Sequence, residues 1–280
     1  MHIQRSGGVG FVRAQNKTSK ALSTTNRALK KILHQLSTAQ RINRASDDAA
    51  GLSISETLRS QVRGFKSASR NVEDAVSALN IADGASREIG GILQRQRELA
   101  LQARNDTLTD SQRGAIDKEY QSLQEEIDRI ASSTEYNRQK TNNGEELADG
   151  DAQIQLGAQA GDQVSLPSLD MSVDALGLSG ASVATSGAAS DALSRVDSAL
   201  DELNTQRSLV GSVVNRFSST INNLAVAEIN TQAAESVIRD QDMAAGLVEL
   251  TRQRLLNEGA TTAFRRFNEI SANHVISLIQ

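Results

Sequence analysis

Apolar residues recur along most of this chain at alternating steps of three and four, the spacing that places them on one face of an α-helix. One such face runs from residue 22 to residue 36, and a second occupies residues 72–93. Two more follow residues 193–224 and 247–279. At 1.5 Å per residue, the stretch 193–224 alone would extend about 50 Å. The pattern therefore predicts long amphipathic helices towards both ends of the chain.

These apolar faces define a predicted assembly seam, because an amphipathic helix must bury its stripe against a partner. The N-terminal helix contributes Leu22, Leu29, Ile32 and Leu36. The C-terminal helices contribute Leu193, Val196, Leu200, Leu203, Val210, Val214, Phe217, Ile221, Leu224, Phe267 and Ile270. Arg207 is the single polar member within the stretch 193–224. We expect the seams to join the two chain ends to each other or to neighbouring subunits.

The middle of the chain follows a different pattern. A helix break is predicted near residues 105–107, and Thr109 with Gln112 forms a capping box that begins a third helix. Polar and apolar residues then alternate in QIQLG (153–157) and QVSLP (163–167), on either side of a Gly-Asp turn. This alternation predicts a short β-hairpin. Serine, alanine and glycine dominate residues 178–190, which we interpret as an exposed loop or linker.

Composition favours elongated helices over a compact globule. Aromatic residues make up 2% of the 280 residues, tryptophan is absent, and hydrophobic residues reach only 38%. Large aromatic side chains dominate most cores, so this core must be thin and aliphatic. The single proline leaves long stretches without the strongest helix breaker. The absence of cysteine excludes disulfides and thiolate metal sites.

The charge is concentrated at the N-terminus. Residues 1–46 carry nine lysines and arginines and no acidic residue. An organellar transit peptide or a nucleic-acid-binding arm would share this charge, but the helical pattern continues to Leu36 and no aromatic stacking platform accompanies it. No apolar run approaches the roughly 18 residues of a membrane span. Because the N-terminus also lacks the apolar core of a secretory signal, we expect any export to avoid a cleaved signal peptide.

Few residues suggest catalysis. His2, His34 and His274 are scattered, and none has a second ligand at zinc-site spacing. Glu125 and Glu126 fall on an amphipathic helix, where a solvated face is the usual role of such residues. The glycines at positions 7, 8 and 10 do not follow a strand, so a phosphate-binding loop is not indicated. We expect no catalytic, cofactor or metal site.

The most informative motif joins the first two predicted helices. Residues 41–52 read RINRASDDAAGL, in which Ser46 is a predicted helix cap and two aspartates lie where the helix dipole favours negative charge. This string closely resembles the N-terminal signature of bacterial flagellins. Further resemblance to that family follows in the family's order: LQRQRELALQ at 93–102, EEIDRIASSTEYN at 125–137, IQLGAQAGDQV at 154–164, ALGL at 175–178 and EINTQAAES at 228–236.

The resemblance implies a mainly α fold: an elongated antiparallel helical bundle or coiled coil formed by both chain ends, with a small β-hairpin region. Residues 1–45 and 236–280 would form the inner coiled-coil domain. Residues 46–235 would form the filament core, with the hairpin region near 145–180 and the short loop 178–190 in place of large outer domains. The first and last twenty residues depart from the family's usual pattern, so their subunit contacts are expected to differ.

The resemblance also implies a function and partners. Such a chain would be a structural subunit that polymerises into the hollow helical filament of an extracellular bacterial flagellum and serves motility. Its partners would be further copies of itself, the flagellar export apparatus, an export chaperone on the C-terminal segment, and the hook-associated and cap proteins. The animal Toll-like flagellin receptor is a further expected partner, and the positions matching its contact residues are Arg95, Leu99 and Glu119.

Two alternatives remain at this level. A hook–filament junction protein shares the paired terminal helices but forms no long filament. The LQRQREL and hairpin motifs favour flagellin over it. A soluble coiled-coil scaffold or signalling module, which is not secreted, would also satisfy the heptad spacing. The order of the family motifs argues against that second class.

Overall fold

The computed structural model describes residues 4–145, 147 and 152–279, with side chains described for Arg13 and for 15–270 apart from 146 and 148–151. Within these ranges the fold is mainly α, with five helices: α1 (Gln4–Thr38), α2 (Ala49–Ala103), α3 (Asp110–Ser133), α4 (Ser186–Arg239) and α5 (Met243–Ile279). Two small antiparallel hairpins complete it: β1 (Glu135–Tyr136) with β2 (Gln139–Lys140), and β3 (Gln153–Gln155) with β4 (Gln163–Ser165). The predicted hairpin is confirmed, with Ile154 opposite Val164.

The chain divides into two compact units. A terminal unit comprises Met1–Ser60 with Thr231–Gln280, and a central unit comprises Gln61–Asn230. Both boundaries fall inside helices, one in α2 and one in α4. The functional roles assigned above to residues 1–45, 46–235 and 236–280 stay predictions.

In the terminal unit, α1 and α5 pack as an antiparallel pair. Asn257 donates a hydrogen bond to the side chain of Asn26 at 2.6 Å, while ten residues further along α1 the Leu36 side chain meets α5 at Gly246. A β-carbon at position 246 would lie 2.7 Å from Leu36 Cδ2, so glycine is what permits the close approach. The predicted pairing of N-terminal and C-terminal helices is thereby observed.

The flagellin-like signature forms a tight junction with the other end of the chain. The backbone N–H of Arg41 donates to the carbonyl of Arg239 at 2.7 Å, and Gln241 N–H donates to the carbonyl of Ala39 at 3.0 Å. The Arg239 guanidinium reaches Glu56 at 2.6 Å and lowers the pKa of that carboxyl. Helix breaks at residues 39–48 and 240–242 are therefore hydrogen-bonded to each other across about 200 residues of sequence.

The cap of α2 differs from the prediction. The Asp48 carboxylate, not Ser46, accepts the N–H of Gly51 at 2.9 Å. Asp47 instead accepts the N–H groups of Asn43 and Arg44, which closes the preceding turn. Two adjacent acids thus perform two different local tasks, and Ser46 lies two positions before the capping position of a helix that begins at residue 49.

The central unit is built on α2 and α4, which run antiparallel. Arg97 pairs with Asp197 at 2.7 Å, Arg207 with Asp83 at 2.9 Å, and Lys66 with Glu228 at 3.4 Å, so rising positions on α2 meet falling positions on α4. Arg207, the polar member of the predicted seam, is therefore an ion-pair partner. Aliphatic residues of both helices form one continuous core with α3.

Residues 171–184 are not the exposed linker that composition suggested for 178–190. Leu178 and Val183 are fully buried, and this segment runs along α3 in the opposite direction. Side chains of α3 hold its backbone: Asp128 accepts from Val173 N–H at 2.8 Å, and Asp117 accepts from Val183 N–H at 2.7 Å. Residues 186–190 already belong to α4. Small residues permit close packing as well as flexibility, so a segment rich in them need not be an exposed loop.

The predicted capping box of α3 is confirmed, since Thr109 and Gln112 each bond the other's backbone N–H. Thr109→Ala should lower the free energy of unfolding by about 1 kcal/mol, the usual cost of a lost cap. Urea denaturation followed by circular dichroism measures this. Thr107→Ala is the matched control, because its hydroxyl has no role in the cap, and an equal loss in both variants would contradict the prediction.

Candidate functional site

The predicted seam on α4 serves mainly the core of its own chain. Val196 and Phe217 are 0% exposed, and Leu203, Val210 and Leu224 are also buried. The remaining members pack partly buried against the same core: Leu193, Leu200, Val214 and Ile221. These side chains pack within the central unit, so they are not available for contacts between subunits. The sequence left two partners open for this seam, the chain itself or a neighbouring subunit, and for α4 residues 193–224 the contacts observed are with the core of the same chain.

The seam of the terminal unit is only partly covered. Leu22, Leu29, Ile32 and Leu36 are all half-buried along α1. On α5, Phe267 is half-buried, whereas Ile270 is 61% exposed. Two helices alone shield one side of each stripe, which leaves the other side in contact with water.

A larger apolar surface on α5 was missed by the sequence reasoning. Val248 is 71% exposed and Leu255 65% exposed, and Leu247 and Leu256 beside them are at least half exposed. Val248, Leu255 and Leu256 line a shallow concavity of about 550 Å³ together with Thr251 and Arg252. We call Leu247, Val248, Leu255 and Leu256 the α5 apolar stripe. Its signal in the sequence is the adjacent apolar pairs, which cannot all face one partner helix. A stripe of this kind marks an association surface.

Two of the three predicted receptor residues lie together at the surface, and the third is buried. The Arg95 guanidinium donates to the Glu119 carboxylate at 2.7 Å, and both side chains are about half exposed. The hydrogen bond to Glu119 raises the pKa of Arg95 most, and the hydrogen bond to Glu98 raises it further. Leu99 is only 1% exposed and belongs to the core, so it cannot make a direct surface contact in this conformation.

The residues considered for catalysis are dispersed. His34 is exposed on α1, while His2 and the side chain of His274 lie outside the described residues. Glu126 pairs with Arg129, and Glu125 is exposed on α3. In the part of the chain that the structure describes, no three histidine, cysteine or acidic residues group in a way that could hold a metal ion. The described helices also include none long and apolar enough to cross a membrane.

One buried titratable group stands out. Tyr120 is fully buried at the centre of α3, and its hydroxyl has no hydrogen-bond partner among the described residues. Burial raises the pKa of Tyr120 to about 12. The charges of Arg195 and Asp117 have smaller effects on this pKa: Arg195 lowers it and Asp117 raises it. The native state therefore holds the phenol proton more tightly than the unfolded chain does.

This tyrosine predicts a loss of stability at high pH. Because the native pKa exceeds the ordinary tyrosine value of 10.0, the contribution of Tyr120 to stability is complete below pH 10 and disappears as the pH rises towards 12. Two pKa units correspond to roughly 3 kcal/mol. Tyr120→Phe should be neutral or slightly stabilising at pH 7 and should lose less stability between pH 10 and 12, measured by urea denaturation. Tyr136→Phe, which alters the other tyrosine, is the control. Parallel losses in all three proteins would contradict the assignment.

Two regions of this chain match a known protein family. The bacterial flagellin N-terminal helical region matches residues 12–147, and the bacterial flagellin C-terminal helical region matches residues 193–279. A flagellin of Halalkalibacterium halodurans is 40% identical, covering 85% of this chain and 88% of the relative. The Bacillus subtilis flagellin is 38% identical, and a 31.3 kDa core protein of the Treponema maltophilum flagellar filament is 35% identical. Each of these two comparisons covers 94% of this chain and 96% of the relative. A crystal structure of Bacillus cereus flagellin aligns with a TM-score of 0.48 at 32% identity, covering 55% of this chain and 88% of that chain.

Proposed function

Since this chain belongs to the bacterial flagellin family, we propose that it polymerises into the hollow helical filament that bacteria rotate for motility. Its relatives are named flagellin or flagellar filament core protein, and the chain is a structural subunit of the extracellular flagellar filament. The observation that carries the proposal is the match of both helical regions together. Only residues 148–192 separate the two matches, which supports a minimal flagellin without a large outer domain.

The exposed surfaces support open-ended polymerisation. The α5 apolar stripe and the exposed Val226, Ile229 and Val237 on α4 lie on different helices. Contacts between unlike patches generate a helical polymer unless the rotation closes into a ring. The α1–α5 seam would then contribute to the polymer through its half-covered side, as predicted for Leu22, Leu29 and Ile270. Many small contacts of this kind suit a filament that must switch between slightly different packings.

Export and capping partners form part of the same proposal. We infer passage through the flagellar export apparatus without a cleaved signal peptide, with a chaperone covering the C-terminal segment. The α5 apolar stripe supports this, because an uncovered stripe would promote association inside the cell. Hook-associated and cap proteins would bind the same class of surface at the two ends of the filament. The proposed role involves no catalysis and no cofactor.

Negative-stain electron microscopy of the purified chain, with and without a salting-out precipitant, tests the proposal. Precipitants of this type strengthen apolar burial. Long, uniform, hollow filaments are the expected result. Persistent monomers or short capped rods, even after seeding, would contradict it and favour a hook–filament junction protein.

The Arg95–Glu119 pair carries the receptor proposal. Arginine is enriched among the residues that contribute most to binding at protein interfaces. We expect the monomer to bind the ectodomain of the animal Toll-like flagellin receptor, and Arg95→Glu to weaken binding at least tenfold in surface plasmon resonance. Arg129→Glu is the matched control, because Arg129 forms a similar exposed pair with Glu126 on α3. Failure of the unaltered monomer to bind would remove the proposal.

A further inference from the structure

The terminal unit contains a concavity whose rim is strongly basic. It measures about 550 Å³ and lies between α1 and the turn that precedes α2. Its charged and titratable lining consists of Arg27, Lys30, Lys31, His34, Arg44 and Asp47. We call this the basic concavity. The family signature places Arg44 and Asp47 in it, but the predictions from sequence gave it no role.

The positive charge of the basic concavity is only partly compensated within the chain. Asp47, its one carboxylate, is bound by Lys31 at 3.0 Å and by two backbone N–H groups of the turn. Among the described residues, no carboxylate lies within ion-pair distance of Arg27, Lys30 or Arg44. Three cations converging on one concave surface create a field that attracts an anionic partner.

The charges of the two units indicate which partner this is. The terminal unit holds 15 basic and 9 acidic residues, a net charge of +6. The central unit holds 15 basic and 25 acidic residues, a net charge of −10. Every copy of the chain therefore carries one unit of each sign. Contact between the terminal unit of one copy and the central unit of another is electrostatically favourable, whereas contacts between like units are not.

An exposed face of α4 offers suitable carboxylates. Asp201 and Glu202 are exposed on adjacent positions, and Asp191 lies three turns earlier on nearly the same face. Among the described residues, none of the three has a lysine or arginine nitrogen within ion-pair distance. The Glu202 carboxylate accepts a hydrogen bond from the Gln206 side chain at 3.2 Å. Other acids of the central unit, such as Asp197 and Asp83, already have arginine partners.

We propose that the basic concavity receives the Asp201–Glu202 face of α4 from a second copy of this chain. The contact joins different patches on the two copies, so it propagates along a polymer. The inference rests on the proposed filament function, because it specifies one contact within that filament. It adds a steering role: the attraction orients an incoming subunit before apolar surfaces meet.

Seeded elongation measured against ionic strength tests the steering role. Lys30→Gln with Arg44→Gln should slow elongation about tenfold at 20 mM salt, and the difference should vanish near 0.5 M salt, where the Debye length is about 4 Å. Lys17→Gln with Lys20→Gln is the matched control, since it removes the same charge from exposed positions on α1 outside the concavity. Equal slowing in both variants, or slowing that persists at high salt, would overturn the proposal.

Charge exchange tests the partner. Lys30→Glu with Arg44→Glu should block elongation at low salt, and adding Asp201→Lys with Glu202→Lys to the same chain should restore it to within threefold of the wild-type rate. Circular dichroism verifies that each variant is folded. A folded combined variant that fails to recover would overturn the assignment of α4 as the partner face.

Cross-linking separates failure of this inference from failure of the filament function. The chain contains no cysteine, so each introduced thiol is unique. Chains carrying Lys30→Cys are mixed with chains carrying Glu202→Cys and treated with a short bismaleimide at low salt. We expect mixed dimers to exceed those formed with Lys17→Cys at least fivefold. Such dimers without filaments would support the contact while refuting the filament, and filaments without mixed dimers would overturn the contact alone.

Discussion

Val248→Asp combined with Leu255→Asp is expected to abolish filament growth while leaving the monomer folded. Both side chains belong to the α5 apolar stripe and are at least 65% exposed, so the monomer loses little on their replacement. In a polymer that buries them, each lost aliphatic contact removes about 1.5–3 kcal/mol. Burying two unpaired carboxylates adds several kcal/mol per subunit contact. Together these costs should raise the critical concentration for assembly by more than 100-fold.

Sedimentation of seeded reactions measures this critical concentration, and circular dichroism verifies the monomer fold. The matched control is Val248→Ile with Leu255→Met, which alters the same positions while keeping them apolar. We expect it to assemble within about threefold of the wild-type critical concentration, because volume-conserving apolar exchanges are well tolerated. Normal assembly of the aspartate variant would show that the α5 apolar stripe lies outside the subunit contacts.

Phe217→Ala is expected to destabilise the central unit by about 3–5 kcal/mol. Phe217 is 0% exposed and is one of the largest fully buried side chains, packed where α4 meets the core shared with α2. Removing a buried aromatic ring loses its transfer free energy and leaves a cavity that the surrounding helices fill only in part. A core so poor in aromatic residues has few other large side chains that could move into that space.

Urea denaturation of the monomer measures the change through the midpoint of the transition. Val226→Ala, on the same helix but 57% exposed, is the control and should shift stability by no more than about 0.5 kcal/mol. A loss below 1 kcal/mol for Phe217→Ala would contradict the assignment of the α4 stripe to the core of its own chain. Residues 193–224 would then again be candidates for a contact between subunits.

Features fixed by neighbouring residues were predictable from the sequence. The capping box of Thr109 and Gln112 depends on two side chains three positions apart, and the β3–β4 hairpin on alternation around a Gly-Asp turn. The helical faces follow from apolar periodicity in the same way. Each of these patterns is local, so no distant part of the chain was needed to interpret it.

The cap of α2 shows where local interpretation becomes ambiguous. Ser46, Asp47 and Asp48 are all suitable caps, and sequence does not specify which one is placed at the helix start. The choice of Asp48 depends on where the chain turns back to meet residues 238–241. Gly51 reflects the same crowding, because a β-carbon there would lie 2.8 Å from Ile42 Cδ1.

By itself, the sequence determined the helices, the capping box of α3 and the family, because periodicity, the capping box and motif order each depend on short segments. Only the tertiary structure decided which apolar stripes are covered within the chain and which stay exposed. Leu99 and Leu178 became core residues, while Val248 and Leu255 stayed at the surface. The physical reason is that apolar character sets the tendency to be buried, whereas burial requires a partner. That partner is supplied by elements far away in sequence, or by another copy of the chain.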